Sequence, residues 1–226
     1  MSMVAVLLLA AALQQAAAPI DLTGYWVSVV TEDWRWRMLT PPKGDYASVP
    51  LNAEGRRMAD TWDPAKAGSD GCKAYGAAGL MRMPGRLHIT WQDTNTLKIE
   101  TDAGTQTRLL NFDKSVKPSP APAWQGHSVA EWEFIGPRGR GGAPRPGSLK
   151  VVTTNLRAGY LRKNGVPYSE NAIVTEYFDR VTSAGSELLT VITVVNDPRY
   201  LLQPFITSTH FKREPDGSGW RPSRCE

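Results

Sequence analysis

The sequence has few of the residues on which enzymes most often build cofactor, metal or covalent chemistry. Only two of its 226 residues are cysteine and only three are histidine. It contains no G-x-S-x-G sequence, no phosphate-binding loop, no dinucleotide-binding fingerprint and no C-x-x-C pair. These absences argue against serine-hydrolase, nucleotide-dependent and redox-cofactor chemistry, and we predict neither a bound cofactor nor a metal site.

Long hydrophobic runs are also lacking. The ten-residue apolar run at 4–13 is followed by small residues at 16–18. A membrane-spanning helix needs about 20 apolar residues, so we predict no integral membrane segment. A short apolar run before a small-x-small site is typical of a secretory signal peptide, which we predict at residues 1–18. No basic residue precedes the run, and a buried N-terminal helix is the alternative. We therefore predict a periplasmic or secreted protein with one domain at 19–226.

The two cysteines gain meaning from this predicted export. Cys72 follows a glycine-rich stretch and Cys225 is the penultimate residue. In an oxidising compartment, two cysteines most simply form one disulfide. We predict a Cys72–Cys225 bond that ties the C-terminal residues to the body of the domain.

Glycine and proline are plentiful, at 20 and 17 residues, and oppose large helical content. One helix is predicted at 52–62, with Asn52 as N-cap and Asp63-Pro64 as its end. Alternating apolar and polar residues separated by turn residues predict strands elsewhere. The predicted strands lie at 25–30, 34–38, 86–92, 96–101, 105–112, 126–135, 149–156, 172–181, 187–195 and 204–213. Their short connections predict an all-β, antiparallel up-and-down barrel, with a β-sandwich as the alternative.

The segment 136–148 stands apart from this pattern. It holds five glycines, three prolines and three arginines in thirteen residues, which predicts a flexible hairpin insertion without a core. It contains no aromatic residue, and stacking aromatics are what single-strand binding normally uses. We therefore predict no nucleic-acid partner, in spite of a net charge of +4.

Two resemblances bear on the fold. Gly24-Tyr25-Trp26 resembles the G-x-W signature of lipocalin-like (calycin) barrels. That resemblance implies a barrel whose base is closed by Trp26, packed near a basic residue of the last strand, for which Arg213 is the candidate. The stretch 122–133 (PAWQGHSVAEWE) resembles the P-x-W-x-G-H-S-x-x-x-W-E motif of a large, mostly uncharacterised family of exported soil-bacterial β-rich proteins.

Further elements of that family occur downstream in the same order. They are Ser169-Glu170, the V-T-E-x-F-x-R element at 174–180, the T/V-x-x-D-P element at 194–198, Pro204-Phe205 and the two cysteines. The resemblance implies export and a β-rich fold, and it carries no activity to transfer.

The candidate catalytic residues are two histidines and a glutamate. His127 and His210 lie on predicted strands and can act as bases near neutral pH. Together with His88 they also make the three histidines that a catalytic zinc site would need, although no short sequence spacing supports a zinc site. Glu176 lies in mid-strand on an otherwise apolar face. A buried carboxylate needs a partner, so an ion pair with Arg108 or Arg180 and a raised-pKa acid are the alternatives.

Aromatic residues favour a binding function. Eight tryptophans and seven tyrosines can build the wall of a site for apolar or aromatic ligands. The candidate ligand-binding residues are Arg108, Trp26, Trp132 and Tyr177. We predict an exported, lipocalin-like protein that binds a small apolar or aromatic molecule in a barrel cavity. The alternatives are a cofactor-free lyase, isomerase or hydrolase with a His/Glu acid–base pair in that cavity, and an envelope-associated interaction protein.

Overall fold

Residues 18–134, 147–183 and 185–225 are described by a computed structural model, which gives backbone alone at 67–70. Nearly all of the predicted signal peptide at 1–18 and of the insertion at 136–148 lies outside the described residues. Eleven strands are described. They are β1 (Gly24–Ser28), β2 (Arg86–Asp93), β3 (Thr96–Thr101), β4 (Gln106–Asn111), β5 (His127–Phe134), β6 (Gly147–Thr154), β7 (Gly159–Arg162), β8 (Val166–Tyr168), β9 (Ile173–Ser183), β10 (Ser186–Asn196) and β11 (Phe205–Glu214).

Nine of these strands close into a barrel, which confirms the all-β barrel prediction. Their order around the barrel is β1-β11-β10-β9-β6-β5-β4-β3-β2, and β7 and β8 form a separate two-stranded sheet. Eight of the nine neighbouring pairs are antiparallel and the β4–β5 pair is parallel. Directions cannot alternate all the way around a ring with an odd number of strands, so at least one pair must be parallel. The up-and-down prediction is therefore wrong at β4–β5.

Side chains fill the interior of the barrel. Alternate residues of each strand point inward, as on β10, where Leu189, Val191 and Val195 are buried. Large apolar side chains in the interior include those of Trp26, Phe178 and Phe211, each at most 1% exposed. Burying side chains of this size contributes roughly 1.5–3 kcal/mol apiece, so the described interior is the main source of the fold's stability.

The two ends of the barrel differ. At the end where β2, β4 and β5 finish, the rings of Trp91, Phe112 and Trp132 meet, and we call this the aromatic end. At the other end, a second buried cluster joins the barrel to the β7–β8 sheet and to the helices, and we call this the capped end. The helices are α1 (Trp34–Arg37), α2 (Ala53–Ala59), α3 (Ala77–Leu80) and a kinked 3₁₀ segment, Pro64–Tyr75.

Helix α2 confirms the one predicted helix, and its first residue follows the predicted cap. The side chain of Asn52 accepts a hydrogen bond from the backbone N–H of Gly55 at 2.8 Å. The helix is shorter than predicted, since it ends at Ala59.

The predicted strand at 34–38 is wrong, because these residues form the single turn α1. Arg37 is buried and donates hydrogen bonds to the carbonyl oxygens of Val29 at 2.8 Å and Arg82 at 3.1 Å. Trp34 is 58% exposed. The demand of one buried guanidinium for backbone acceptors outweighs the alternation of tryptophan and arginine in the sequence.

Two long-range contacts fasten the ends of the chain. A disulfide joins Cys72 and Cys225, as predicted. At the aromatic end, the Trp26 Nε1 donates to the Leu22 carbonyl at 2.9 Å and the Arg213 guanidinium lies 5.3 Å from the Trp26 ring centre. Trp26 thus contacts a basic residue of the last strand, which is the contact that the G-x-W resemblance implies. Within the described residues, none of the helices has the length and apolar character needed to cross a membrane.

Candidate functional site

Arg108 and Glu176 form a fully buried ion pair inside the barrel. The Arg108 Nη1 donates to the Glu176 Oε1 at 3.1 Å, and its Nη2 donates to the Oε2 at 2.5 Å. The Arg108 Nη2 also donates to the Thr153 hydroxyl at 3.3 Å, and that hydroxyl is 2.8 Å from the Ser128 Oγ. Of the two arginines open as partners of Glu176, the structure therefore selects Arg108. Both carboxylate oxygens are engaged by one guanidinium, which suits a structural pair.

Neither candidate histidine joins this pair. His127 alternates with the buried residues Ser128 and Ala130, and so lies on the outer face of β5. His210 lies on the outer face of β11, where its Nδ1 is 2.5 Å from the Glu32 Oε1. The barrel wall thus separates both histidines from Glu176, so the structure does not bring the predicted catalytic residues His127, His210 and Glu176 together inside the barrel.

The candidate ligand-binding residues do not share one cavity. Trp26 is part of the packed interior, Arg108 is held by Glu176, and Tyr177 lies on the outer face of β9 beside Lys150. Trp132 lies half-buried at the aromatic end, where its ring centre is 5.7 Å from that of Phe112. The centre of the barrel, where the binding cavity was predicted, is occupied by Trp26, Arg108 and other core side chains.

The barrel wall has an opening at its parallel pair. Strands β4 and β5 are in register only at Leu110–Ser128 and Asn111–Val129. Below those two pairs the strands part, and the segment 123–126 stands opposite residues 106–109 of β4. The resulting groove, which we call the seam groove, has a volume of about 480 Å³, within the range of small-molecule sites. Its lining residues are Gln106, Thr107, Leu109, Asn111, Val116, Ala123, Trp124, Gln125, Gly126, His127 and Ser128.

The walls of the seam groove combine apolar surface with uncharged polar groups. Leu109 is 41% exposed and Val116 is 42% exposed, while Trp124 is half-buried. The Arg157 guanidinium lies 4.4 Å from the ring centre of Trp124. No aspartate or glutamate is among the lining residues, which include one histidine, His127.

The inner end of the groove is connected to the disulfide. The Gln125 Nε2 donates to the Tyr75 carbonyl at 2.7 Å and to the Gln106 Oε1 at 3.0 Å. The Gln106 Nε2 lies 3.4 Å from the Cys225 sulfur and donates to the Gly104 carbonyl at 2.6 Å. The two amides are therefore fixed in orientation, and they define one rigid polar wall.

Four residues of the P-x-W-x-G-H-S-x-x-x-W-E motif at 122–133 meet at this groove. Trp124, Gly126, His127 and Ser128 all line it. Gly126 has a positive φ of 59°, and a Cβ there would come within 2.4 Å of the Thr154 carbonyl oxygen. Glycine is thus needed for the chain to turn into β5 at the groove.

Other motif residues hold the fold together. The backbone N–H and the hydroxyl of Ser169 donate to the Asp197 carboxylate at 2.6 and 2.8 Å, and both residues are buried. Arg199 contacts Glu170 at 3.4 Å. These contacts join the end of β8 to the β10–β11 connection, so this part of the motif positions strands and does not line the groove.

The sequence reasoning missed the β4 side of the groove. The sequence predicts only a strand for this side, which comprises Gln106, Thr107, Leu109 and Asn111. The connection that follows β4 nevertheless carries a signal of the groove. The connection at 112–126 is too long for a hairpin and holds prolines at 118, 120 and 122. Such a connection is compatible with a parallel neighbour, and hence with an open seam.

The described part of the chain has no group of three or more His, Cys, Asp or Glu side chains placed to hold a metal ion. Comparisons of the chain with known protein families, with curated proteins and with solved structures find no match. Its function is therefore inferred from the geometry of the site.

Proposed function

We propose that this protein binds a small molecule with an apolar or aromatic body, and that the seam groove is the binding site. The observation that carries the proposal is the groove itself, which combines an apolar wall at Leu109, Val116 and Trp124 with fixed amides at Gln106 and Gln125. The proposal moves the ligand from the centre of the barrel to its wall, because core side chains fill the centre.

The expected affinity follows from the size of the groove. An aromatic ligand comparable to a tryptophan side chain buries about 150–250 Å². At about 25 cal/mol per Å² this contributes about 4–6 kcal/mol before the cost of association is subtracted. Even before that cost, these energies correspond to dissociation constants of about 30 μM to 2 mM, so we expect binding no tighter than tens of micromolar.

We also propose that the protein is exported, is lipocalin-like, and belongs to the exported soil-bacterial family that its motifs resemble. The Cys72–Cys225 disulfide supports export, because disulfides persist mainly in oxidising compartments. The Trp26–Arg213 contact supports the lipocalin-like assignment. The convergence of four motif residues on one groove supports the family assignment.

Titration calorimetry with neutral aromatic probes such as indole and 2-naphthol tests the binding site. The variant Leu109→Thr removes apolar surface from the groove while keeping a strand-compatible residue. Ile192→Thr is the matched control, since Ile192 is also 41% exposed on an outer barrel face and does not line the groove. We expect Leu109→Thr to weaken binding about three- to tenfold and Ile192→Thr to leave it unchanged. Equal effects of the two variants, or no binding by any probe, would contradict the proposal.

A further inference from the structure

We propose that the seam groove binds its ligand as an added β-strand, so that the ligand is a short extended peptide, or a peptide-like molecule, with an apolar or aromatic side chain. This inference rests on the proposed function, since it names the class of molecule that the same groove binds.

The first observation is an unpaired edge of β4. On one side, β4 is in register with β3 along its whole length, from Thr101–Gln106 to Thr96–Asn111. On the other side, β5 is in register only with Leu110 and Asn111. Among the described residues, 106–109 therefore have no strand partner on the groove side.

An edge of this kind offers backbone groups to a ligand. Every residue carries one N–H donor and one C=O acceptor, and in a strand these groups point alternately to its two sides. Half of the groups at 106–109 thus face the groove. A peptide in extended conformation presents the complementary alternation, which is the basis of recognition by strand addition.

The length and lining of the groove define the peptide further. Four residues of strand extend about 13 Å at about 3.3 Å per residue, so a segment of three or four residues fits. Side chains of an added strand alternate between the two faces of the sheet, and those on the outer face would lie beside Leu109 and Val116. No lining residue is an aspartate, glutamate, lysine or arginine. The groove thus favours uncharged peptides with an apolar or aromatic residue.

The test uses a capped tripeptide amide, acetyl-Val-Phe-Val-amide, and its three derivatives that each carry one N-methylated backbone amide within the tripeptide; these derivatives are isomers of one another. Methylation removes a donor and adds bulk, but it interferes only where the N–H faces β4. Successive N–H groups of an extended strand point to opposite sides, so the two valine N–H groups face one side and the phenylalanine N–H faces the other. We expect methylation on the side that faces β4 to weaken binding at least tenfold relative to the parent peptide. Methylation on the other side should leave binding within about twofold of the parent.

Protein-side measurements accompany the titrations. Amide hydrogen exchange should slow within 106–109 on addition of the parent peptide, and exchange in β10 should not change. Leu109→Thr should weaken all binding peptides, with Ile192→Thr as the unchanged control and thermal melting to show that both variants fold.

Three outcomes overturn the inference. If indole binds but the peptides do not, or if methylation weakens binding without a difference between the two sides, the edge is not used and the proposed small-molecule site survives. If neither class binds, the proposed function fails as well. If residues 106–109 are protected by a concentration-dependent dimer without peptide, the edge pairs with a second copy of the chain.

Discussion

Replacing Glu176 by glutamine removes the negative charge from the buried pair and leaves the Arg108 guanidinium inside an apolar barrel. Both side chains are fully buried, and the two hydrogen bonds between them are 3.1 and 2.5 Å long. Breaking one side of a buried ion pair costs about 3–5 kcal/mol, since the remaining charge is uncompensated. For a domain of this size each kcal/mol lowers the melting temperature by about 2–4 °C. We therefore expect Glu176→Gln to melt about 6–20 °C lower than the unmodified protein.

A double-mutant cycle separates the pair from its surroundings. Arg108→Met keeps most of the side-chain volume, and the double variant Arg108→Met/Glu176→Gln leaves no buried charge. The free energies of unfolding of all four proteins, from urea titrations at constant pH, give the coupling between the two residues. We expect a coupling of about 2–3 kcal/mol, with the double variant more stable than Glu176→Gln alone.

The surface pair Lys114–Glu131 supplies the control for this cycle. Its atoms are 2.7 Å apart, but both side chains are well exposed, and such pairs contribute at most about 1 kcal/mol. Glu131→Gln should therefore leave the melting temperature nearly unchanged. The structural reasoning is refuted if Glu176→Gln costs no more than Glu131→Gln, or if the effects of Arg108→Met and Glu176→Gln simply add.

Two further predictions concern the tyrosine and cysteine contacts. Burial and the hydrogen bond to Asp60 raise the pKa of Tyr46 from 10.0 to about 12. Because the pKa of Tyr46 is raised in the folded state, the neutral tyrosine stabilises the fold fully below about pH 10, and this contribution is lost as the pH rises through 12. Tyr46→Phe should therefore reduce the fall in the free energy of unfolding, measured by urea titration, between pH 10 and pH 12. Cys72→Ala/Cys225→Ala should lower the free energy of unfolding by about 2–5 kcal/mol and expose residues 215–225 to limited proteolysis; an unchanged cleavage pattern would show that the disulfide does not fix this tail.

Most barrel strands could be predicted from the sequence because each has one buried and one outer face. Strands β7 and β8 could not be predicted, because nearly all of their residues are buried at the capped end and their sequences show no alternation of apolar and polar residues. The turn at 34–38 shows the opposite failure, in which alternation is present but the buried Arg37 determines the backbone.

The candidate site was predictable only in part. The position of Glu176 on an apolar strand face indicated an ion pair, but the choice of Arg108 over Arg180 depends on closure of the barrel, which brings β4 opposite β9. His127 and Trp124 carried a motif signal. Thr107 and Leu109, which line the other side of the groove, carried no such signal. Residues 106–109 approach 123–126 because β4 and β5 pair in parallel, and these two segments share no sequence pattern.

The parallel pair has a consequence for how this fold can change. In a closed ring of nine strands, at least one neighbouring pair must run parallel. A rearrangement could place the parallel pair between two other strands, but no point substitution removes it. Only the gain or loss of a whole strand restores full alternation. Substitutions around β4 and β5 can therefore alter what the seam groove binds, whereas a closed ring of nine strands always retains at least one parallel pair.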